Sequence, residues 1–486
     1  MSQTFRLRKP VPAKTTERSY WIQSSGMRDE DYLPALRGDI DADIAIVGGG
    51  LTGLWTAWRI KELNPDADVA ILEADFCGSG ASGRNGGQVH TWFGSLDYLR
   101  SVVGRKEAIR LARATRDAIA EMQQLQADGV LEMDLRLGGF VSVSVAAAHD
   151  GGWQEKLAEL ESIGEAPYEA MGRERAQAVS AAATSREGVF EQFSGTMDPF
   201  KLSRSLRDQL VSRGVRIYEQ SPVVEFRTGC PSTLVTPQGS VVAKDVLIAS
   251  GAWAGSIPQI NRAVYTVDGQ VVTTEPIREL LDEIGIEPGR AISDSQMQVL
   301  YLQRTVDDRL LLGQGSGLPV YKDQLGQRTN HNPQLQEDVT AELRRMYPQL
   351  HDVAIDYSWA GPIDISASHL PVIDTLDKAP NVLFCVGWTG TALAQIPVVA
   401  RMLAARLLGV DDEWSKSPLA DQSGRITRVF PEPFRFIGAN VVRKAVQRRV
   451  VRERAGQRVA WPTRALISLM PRYREPAQEY VPTERP

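Results

Sequence analysis

Gly48, Gly50 and Gly53 stand at GxGxxG spacing inside DIAIVGGGLTGLWTAWRIKEL, residues 43–63. Glycines so spaced bind phosphate when a strand runs into them and a helix leaves them. Gly48 permits the tight turn, Gly50 lets a pyrophosphate approach the backbone, and Gly53 lets helix and strand pack closely. Leu51 and Thr52 open the helix, whose free N–H groups and partial positive charge face an anion. Glycine clusters also make plain turns, so the spacing needs support. Glu73, followed by Ala74 at the end of ADVAILEAD, supplies it. A carboxylate about 20 residues past the turn accepts hydrogen bonds from ribose hydroxyls and repels a 2′-phosphate.

CGSGASGRNGGQV, residues 77–89, follows almost directly. An NAD-binding domain would usually continue here into helix and strand. Ser82, Gly83, Arg84, Asn85, Gly86, Gly87 and Gln88 instead make a long, polar, glycine-rich loop that can wrap a larger cofactor with backbone N–H groups. The competing reading, a flexible surface loop, leaves the apolar continuation VHTWFGSLDYL unexplained.

These residues need a scaffold. DADIAIVGGG alternates and then runs apolar, as a buried parallel strand does. In the helix after it, Leu54, Ala57, Trp58 and Leu63 can share one face. A chain of 486 residues suggests two or three domains with a large core. The composition, 43% apolar and 24% charged, argues against disorder. A net charge of −5 gives no whole-chain attraction for nucleic acid. Cys77, Cys230 and Cys385 lie far apart with no metal-binding spacing, and read as reduced thiols of a cytoplasmic protein. No apolar run is long enough to span a bilayer. The basic N-terminus, MSQTFRLRKPVPAKTTERSYW, lacks the apolar core of a secretion signal and reads as a loosely ordered arm.

Further segments lie in order along residues 19–450. They are SYW (19–21), LEADFCGSGASGRNGGQ, LGGFVSV (137–143), SGTMDPFKLSRSL (194–206), GVRIYEQSPVVEF, DVLIASGAWAG, GQVVTTEPI, RLLLGQGSG, SWAGPIDISASHLPVID and PNVLFCVGWTGTALA. With the glycine turn, and GASGRNGG above all, the chain resembles the FAD-dependent D-amino acid oxidase and glycine oxidase superfamily. Within it, the chain is most similar to amine oxidases of the gamma-glutamylputrescine oxidase type.

The resemblance implies an α/β fold. A Rossmann-like FAD-binding domain of the glutathione reductase type is interleaved with an antiparallel-sheet α+β substrate domain, and a C-terminal helical extension follows. The expected division is an arm at 1–38, FAD-binding segments at 39–98, 195–260 and 355–410, substrate segments at 99–194 and 261–354, and an extension at 411–486. Val223 would frame the adenine with its main chain, and Ser250 and Gly251 would let the chain pass close to the cofactor. Gly387, Thr389, Gly390 and Thr391 would form the turn before a long helix whose N-terminus points at the flavin pyrimidine. Free N–H groups and the helix dipole there suit the negative charge of a reduced flavin. Pro397 would be the first residue of the regular helix. Related amine oxidases often have Gly-His-Gly where this chain has Gly390-Thr391-Ala392; Thr391 can donate a hydrogen bond but carries no charge. YSWAGPIDIS has no cysteine at the position where some relatives attach flavin covalently, so noncovalent FAD is expected.

On the substrate side, LYLQRT places Tyr301, Gln303 and Thr305 on one strand face and Leu300, Leu302 and Arg304 on the other. Tyr301 and Gln303 are expected to face the flavin. Trp388 and His369 are weaker candidates, then Gln270 and His90. Each has a plain alternative: a half-buried strand tyrosine, a core tryptophan, satisfied loop histidines. Arg304, the one arginine considered for a substrate carboxylate, falls on the wrong face.

The expected reaction is hydride transfer from the α-carbon of an amine or amino acid to flavin N5. The resulting imine hydrolyses, and oxygen is reduced to peroxide. A dry pocket lowers the amine pKa, so no strong base is required. The rivals are an FAD dehydrogenase feeding a quinone or carrier, and a flavin-binding subunit without turnover. In the tail, Phe434, Ile437, Val441, Val442 and Ala445 predict a helix whose apolar stripe packs on the protein, with Arg443, Lys444, Arg448 and Arg449 nearby. A helix for a membrane surface or partner is the alternative. PRYREPAQEYVPTERP reads as disordered.

Overall fold

Apolar runs of three types build the chain: parallel strands buried on both faces, alternating antiparallel strands, and helices that cover them. The structure, a computed structural model, describes residues 3–8, 10–315 and 317–469; PRYREPAQEYVPTERP lies outside them. Gly38–Val47, Val69–Leu72 and Arg216–Tyr218 run parallel on one side of a nine-stranded sheet, and Gly239–Ile248 and Ala379–Val386 join in parallel on the other. The helix that leaves the glycine turn, α1 (Leu51–Leu63), is buried from Leu51 through Ile60. It packs against this sheet, against a neighbouring helix, α2 (Ile396–Leu407), and against Pro199–Ser212, so one apolar face would not suffice. Leu63, expected on the buried face, is half exposed beyond the sandwich.

A second, eight-stranded sheet is mainly antiparallel. Its order is Ile355–Ser366, Val264–Thr274, Leu310–Gln314, Leu300–Arg304, Ala291–Asp294, Phe140–Val143, Gly188–Glu191, Tyr168–Met171. The helix Pro333–Met346 covers one face through Val339, Leu343 and Met346. The other face meets an aromatic cluster that includes Tyr20, Trp21, Phe76, Phe200 and Trp359. Burying each such ring contributes roughly 1.5–3 kcal/mol.

The structure divides the chain differently from expectation in three places. The described residues of the N-terminal segment do not form a loose arm. Thr4–Arg6 is an edge strand paired with Glu225–Arg227, and Tyr20, Trp21 and Ile22 are buried. Ile355–Ser366 pairs with Val264–Thr274 and so belongs to the substrate-side sheet. The helix Arg105–Ala127 packs on the dinucleotide side: Glu121 joins Arg59 of α1 at 2.6 Å and Arg401 of α2 at 2.9 Å. Among the described residues, no helix is long and apolar enough to cross a membrane.

The C-terminal extension holds two helices, α3 (Phe434–Arg454) and α4 (Trp461–Ile467). α3 packs through only the end of the expected stripe, Val442 and Ala445. Phe434, Ile437 and Val441 are exposed, and the buried seam is Arg435, Ala445, Val446, Val450 and Glu453. Polar pairs set this rotation: Arg435 forms an ion pair with the buried Asp323 at 2.7 Å, and Glu453 meets His149 at 3.1 Å.

Candidate active site

Gly48 has φ +112°, and a side chain there would lie 2.7 Å from the Ala249 carbonyl oxygen. A Cβ on Gly53 would stand 2.2 Å from the Gly48 oxygen and 3.0 Å from Ile46. The strand-to-helix turn therefore admits only glycine at both positions. Ser82 closes over it and accepts from the Leu51 amide at 2.8 Å; its hydroxyl is the nearest atom to a Cβ built on Gly50. Glu73 accepts from the Gly49 amide at 2.7 Å and the Asp75 amide at 2.9 Å. Burial pushes its carboxyl up to about 7.

The glycine-rich loop is held by four carbonyls in succession. Gly83, Arg84 and Asn85 accept from Ser19 Oγ (2.5 Å), Trp359 Nε1 (2.8 Å) and Trp21 Nε1 (2.9 Å), and Gly86 accepts from Gln303 Nε2. In a trans peptide the N–H points opposite to the carbonyl. Pulling these carbonyls into the protein turns the amides of residues 84–87 the other way. Those of Arg84 and Gly87 find acceptors at Ala81 O and Asn85 Oδ1. Among the described residues, those of Asn85 and Gly86 have none. An acceptor-rich cofactor fits such a loop.

A cavity of about 550 Å³ runs from this turn to the eight-stranded sheet. Of the residues singled out by sequence, Gly48, Gly50, Leu51, Thr52, Glu73, Ala74, Ser82, Arg84, Asn85, Gly86, Gln88, Val223, Ser250, Gly251, Thr389, Gly390 and Thr391 line it. Tyr301, Trp388 and His90 line it as well. Gly53, Gly83, Gly87 and Gly387 lie behind its wall, where each accommodates a close neighbour.

Within the wall, a family model described as "DAO: FAD dependent oxidoreductase" matches residues 43–406. The chain belongs to this family. FAD is the cofactor of this DAO-family chain, and the turn, Glu73 and the loop amides would hold it. The chain is 29% identical over 405 residues to gamma-glutamylputrescine oxidoreductase of Escherichia coli, covering 80% of this chain and 89% of that protein. It is 26% identical over 420 residues to the probable oxidoreductase OrdL of Haemophilus influenzae, covering 82% and 90%. The fold is that of glycine oxidase from Geobacillus kaustophilus, with TM-score 0.64 and 19% identity over 80% of this chain and all of that one.

On the substrate side, the DAO-family chain has the expected strand register. Tyr301 faces the cavity while Leu300 and Leu302 pack into the opposite core. The ring of Tyr301 lies where a Cβ on Gly86 or Gly313 would come within 2.3 or 2.2 Å of it. Gln303 shares that face but stops at the Gly86 carbonyl and does not line the cavity. His369 lies outside it against Tyr98, with ring centroids 4.9 Å apart, and burial lowers its pKa. Gln270 bonds Ser358 within the sheet. Arg304 is paired with Asp282 and Asp308 on the far face.

Sequence reasoning missed several wall residues. Asp364 is buried, accepts from the Gly387 amide at 2.5 Å, and is pushed up to about 6 by burial. An acid in the buried phase of an alternating strand was the available signal. Phe140, Ser142, Ser293, Asp294, Met297 and Val299 complete the substrate-side wall, and Arg8 and Val11 come from the N-terminal segment. The stretch 294–299 is held from outside by α3. Arg454 Nε donates to Gln296 Oε1 at 2.7 Å, and Arg449 Nη1 reaches Met297 Sδ at 3.5 Å. α2 begins at Ile396, with Pro397 its second residue, after an irregular stretch in which Gln395 Nε2 donates to the His90 carbonyl at 3.0 Å.

Proposed function

We propose that this chain oxidises the C–N bond of an amine or amino acid. The observation that carries the reading is one continuous cavity that joins the dinucleotide turn to a mostly apolar wall on the second sheet. FAD, held by the turn, Glu73 and the loop amides, would supply a two-electron hydride acceptor for the substrate α-carbon, with oxygen the proposed final acceptor and peroxide its product. The chain's own residues do the rest. Phe140, Met297, Val299, Tyr301 and Trp388 surround the reacting carbon with apolar surface. Such surroundings disfavour the ammonium form, so the amine sheds its proton before hydride leaves, without a dedicated strong base. Ser142 and Ser293 offer hydroxyls to orient the substrate from the same wall. Thr391, at the irregular stretch before α2, brings a neutral donor to the cofactor side.

The name of the Escherichia coli relative supports an amine with a γ-linked amide, and the glycine oxidase and L-amino acid deaminase folds support the wider class. Peroxide release in air with a panel of amines and amino acids tests the reading. It predicts peroxide with one structural class. Flavin reduction without peroxide would move the acceptor to a quinone or carrier. No reduction by any member would leave a binding subunit. Acid precipitation should leave the yellow colour in solution, as noncovalent FAD requires.

A further inference from the structure

Among the described residues, large apolar side chains exposed to solvent are scattered singly over most of the chain, and none outside 430–469 exceeds 49% exposure. Within that span, Phe430 (69%), Phe434 (70%), Ile437 (56%), Val451 (65%), Trp461 (72%) and Leu469 (67%) all exceed it. Phe434, Ile437 and Val441 follow one another at helical spacing on the outward side of α3, and the exposed Lys444, Arg448 and Val451 continue the same row. Lys444 and Arg448 make no ion pair among the described residues. The sequence from 425 to 469 has eleven lysines and arginines against two acids, in a chain whose net charge is −5. Both acids, Glu432 and Glu453, are already paired to Arg435 and Arg449. A basic, apolar strip therefore lies on an otherwise acidic body.

We propose that α3 docks this enzyme on an anionic lipid bilayer, lying in the headgroup plane with Phe434, Ile437 and Val441 inserted and Lys444 and Arg448 on the lipid phosphates. An apolar row flanked by cations suits that surface. A tryptophan at the start of α4 suits the same boundary. A second copy of the chain fits less well. Pairing the strips would bury Lys444 and Arg448 with no free acid of the strip beside them, since Glu432 and Glu453 are already paired, and among the described residues no large apolar side chain outside 430–469 exceeds 49% exposure. The proposal is independent of the reaction proposed above.

The test is co-sedimentation of the full-length, FAD-loaded protein with phosphatidylcholine vesicles, with and without phosphatidylglycerol. Wild type should pellet with the phosphatidylglycerol vesicles, stay in solution with phosphatidylcholine alone, and be released by salt. Lys444→Glu/Arg448→Glu should weaken partitioning at least about tenfold. Phe434→Ser/Ile437→Ser/Val441→Ser should do the same, with flavin spectrum and melting temperature unchanged in both. Three results would overturn the proposal: no pelleting, equal pelleting with both vesicle types, or self-association in sedimentation velocity that the triple serine variant abolishes.

Discussion

The indole N–H of Trp21 donates to the carbonyl oxygen of Asn85 at 2.9 Å. With Trp359 on the preceding carbonyl, it fixes a cofactor loop from two segments far apart in the chain. The loop's glycines let it bend; the two indoles decide which way its amides face.

Trp21→Phe keeps an aromatic ring, though a smaller one, and removes the donor. A lost buried hydrogen bond costs about 1–3 kcal/mol, here charged mainly to the loop. At about 1.4 kcal/mol per factor of ten, FAD affinity should fall at least about fivefold, measured by flavin titration into the cofactor-free protein, while the fold by circular dichroism stays put. Unchanged affinity would mean that the loop is oriented by something else.

Tyr301 fits because Gly86 and Gly313 face it. Gly313→Ala would drive a methyl into the ring, and overpacking of this sort costs typically 1–3 kcal/mol. Loss of kcat/KM should exceed the loss of FAD affinity. Adding Tyr301→Ala should restore the melting temperature and leave activity low. Recovery of full activity in the double variant would remove Tyr301 from the site.

Glu73 should make FAD binding pH-dependent. In the cofactor-free protein its carboxyl is pushed up to about 7 by burial. Ribose hydroxyls bind the ionised form. Affinity should be level above about pH 7 and fall below it by up to tenfold per pH unit. The stability of the cofactor-free chain moves oppositely. The folded value lies above the ordinary 4.5, so ionisation costs stability as pH climbs from there through about 7. Glu73→Gln should bind FAD weakly with no pH dependence. A flat wild-type profile would contradict the ribose role.

Much of this was legible in residue order. Gly48 and Gly53 occupy their positions because backbone crowding in a short turn leaves no other choice, and such local constraints show in spacing. The face of Tyr301 followed from strand alternation. Gln303 and His369 were not legible as wall or non-wall residues, because alternation gives the side and says nothing of depth. The seam of α3 was misjudged for a related reason. Hydrophobicity favours Phe434 and Ile437, yet a buried Arg435–Asp323 pair from a distant loop sets the helix rotation. Burial of Trp21 among Val271, Leu311 and Trp359, and pairing of Thr4–Arg6 with Glu225–Arg227, likewise depend on partners far along the chain.

The hold of α3 on the cavity wall is testable on its own. Arg454→Ala releases Gln296 and the 294–299 stretch. KM for the amine should rise about three- to tenfold with kcat nearly unchanged, as expected when uniform binding is lost. Arg454→Lys should recover part of it. An equal fall in kcat would place the effect at the reacting atoms instead.

The central claim is that this cavity holds FAD and lets an amine reduce it. Mixing the purified yellow protein without air with single amines and amino acids, while recording the flavin absorption, tests that most directly. The account predicts that one structural class bleaches the oxidised-flavin bands and that air restores them. A protein that stays colourless after FAD is added, or stays yellow with every amine, would contradict it.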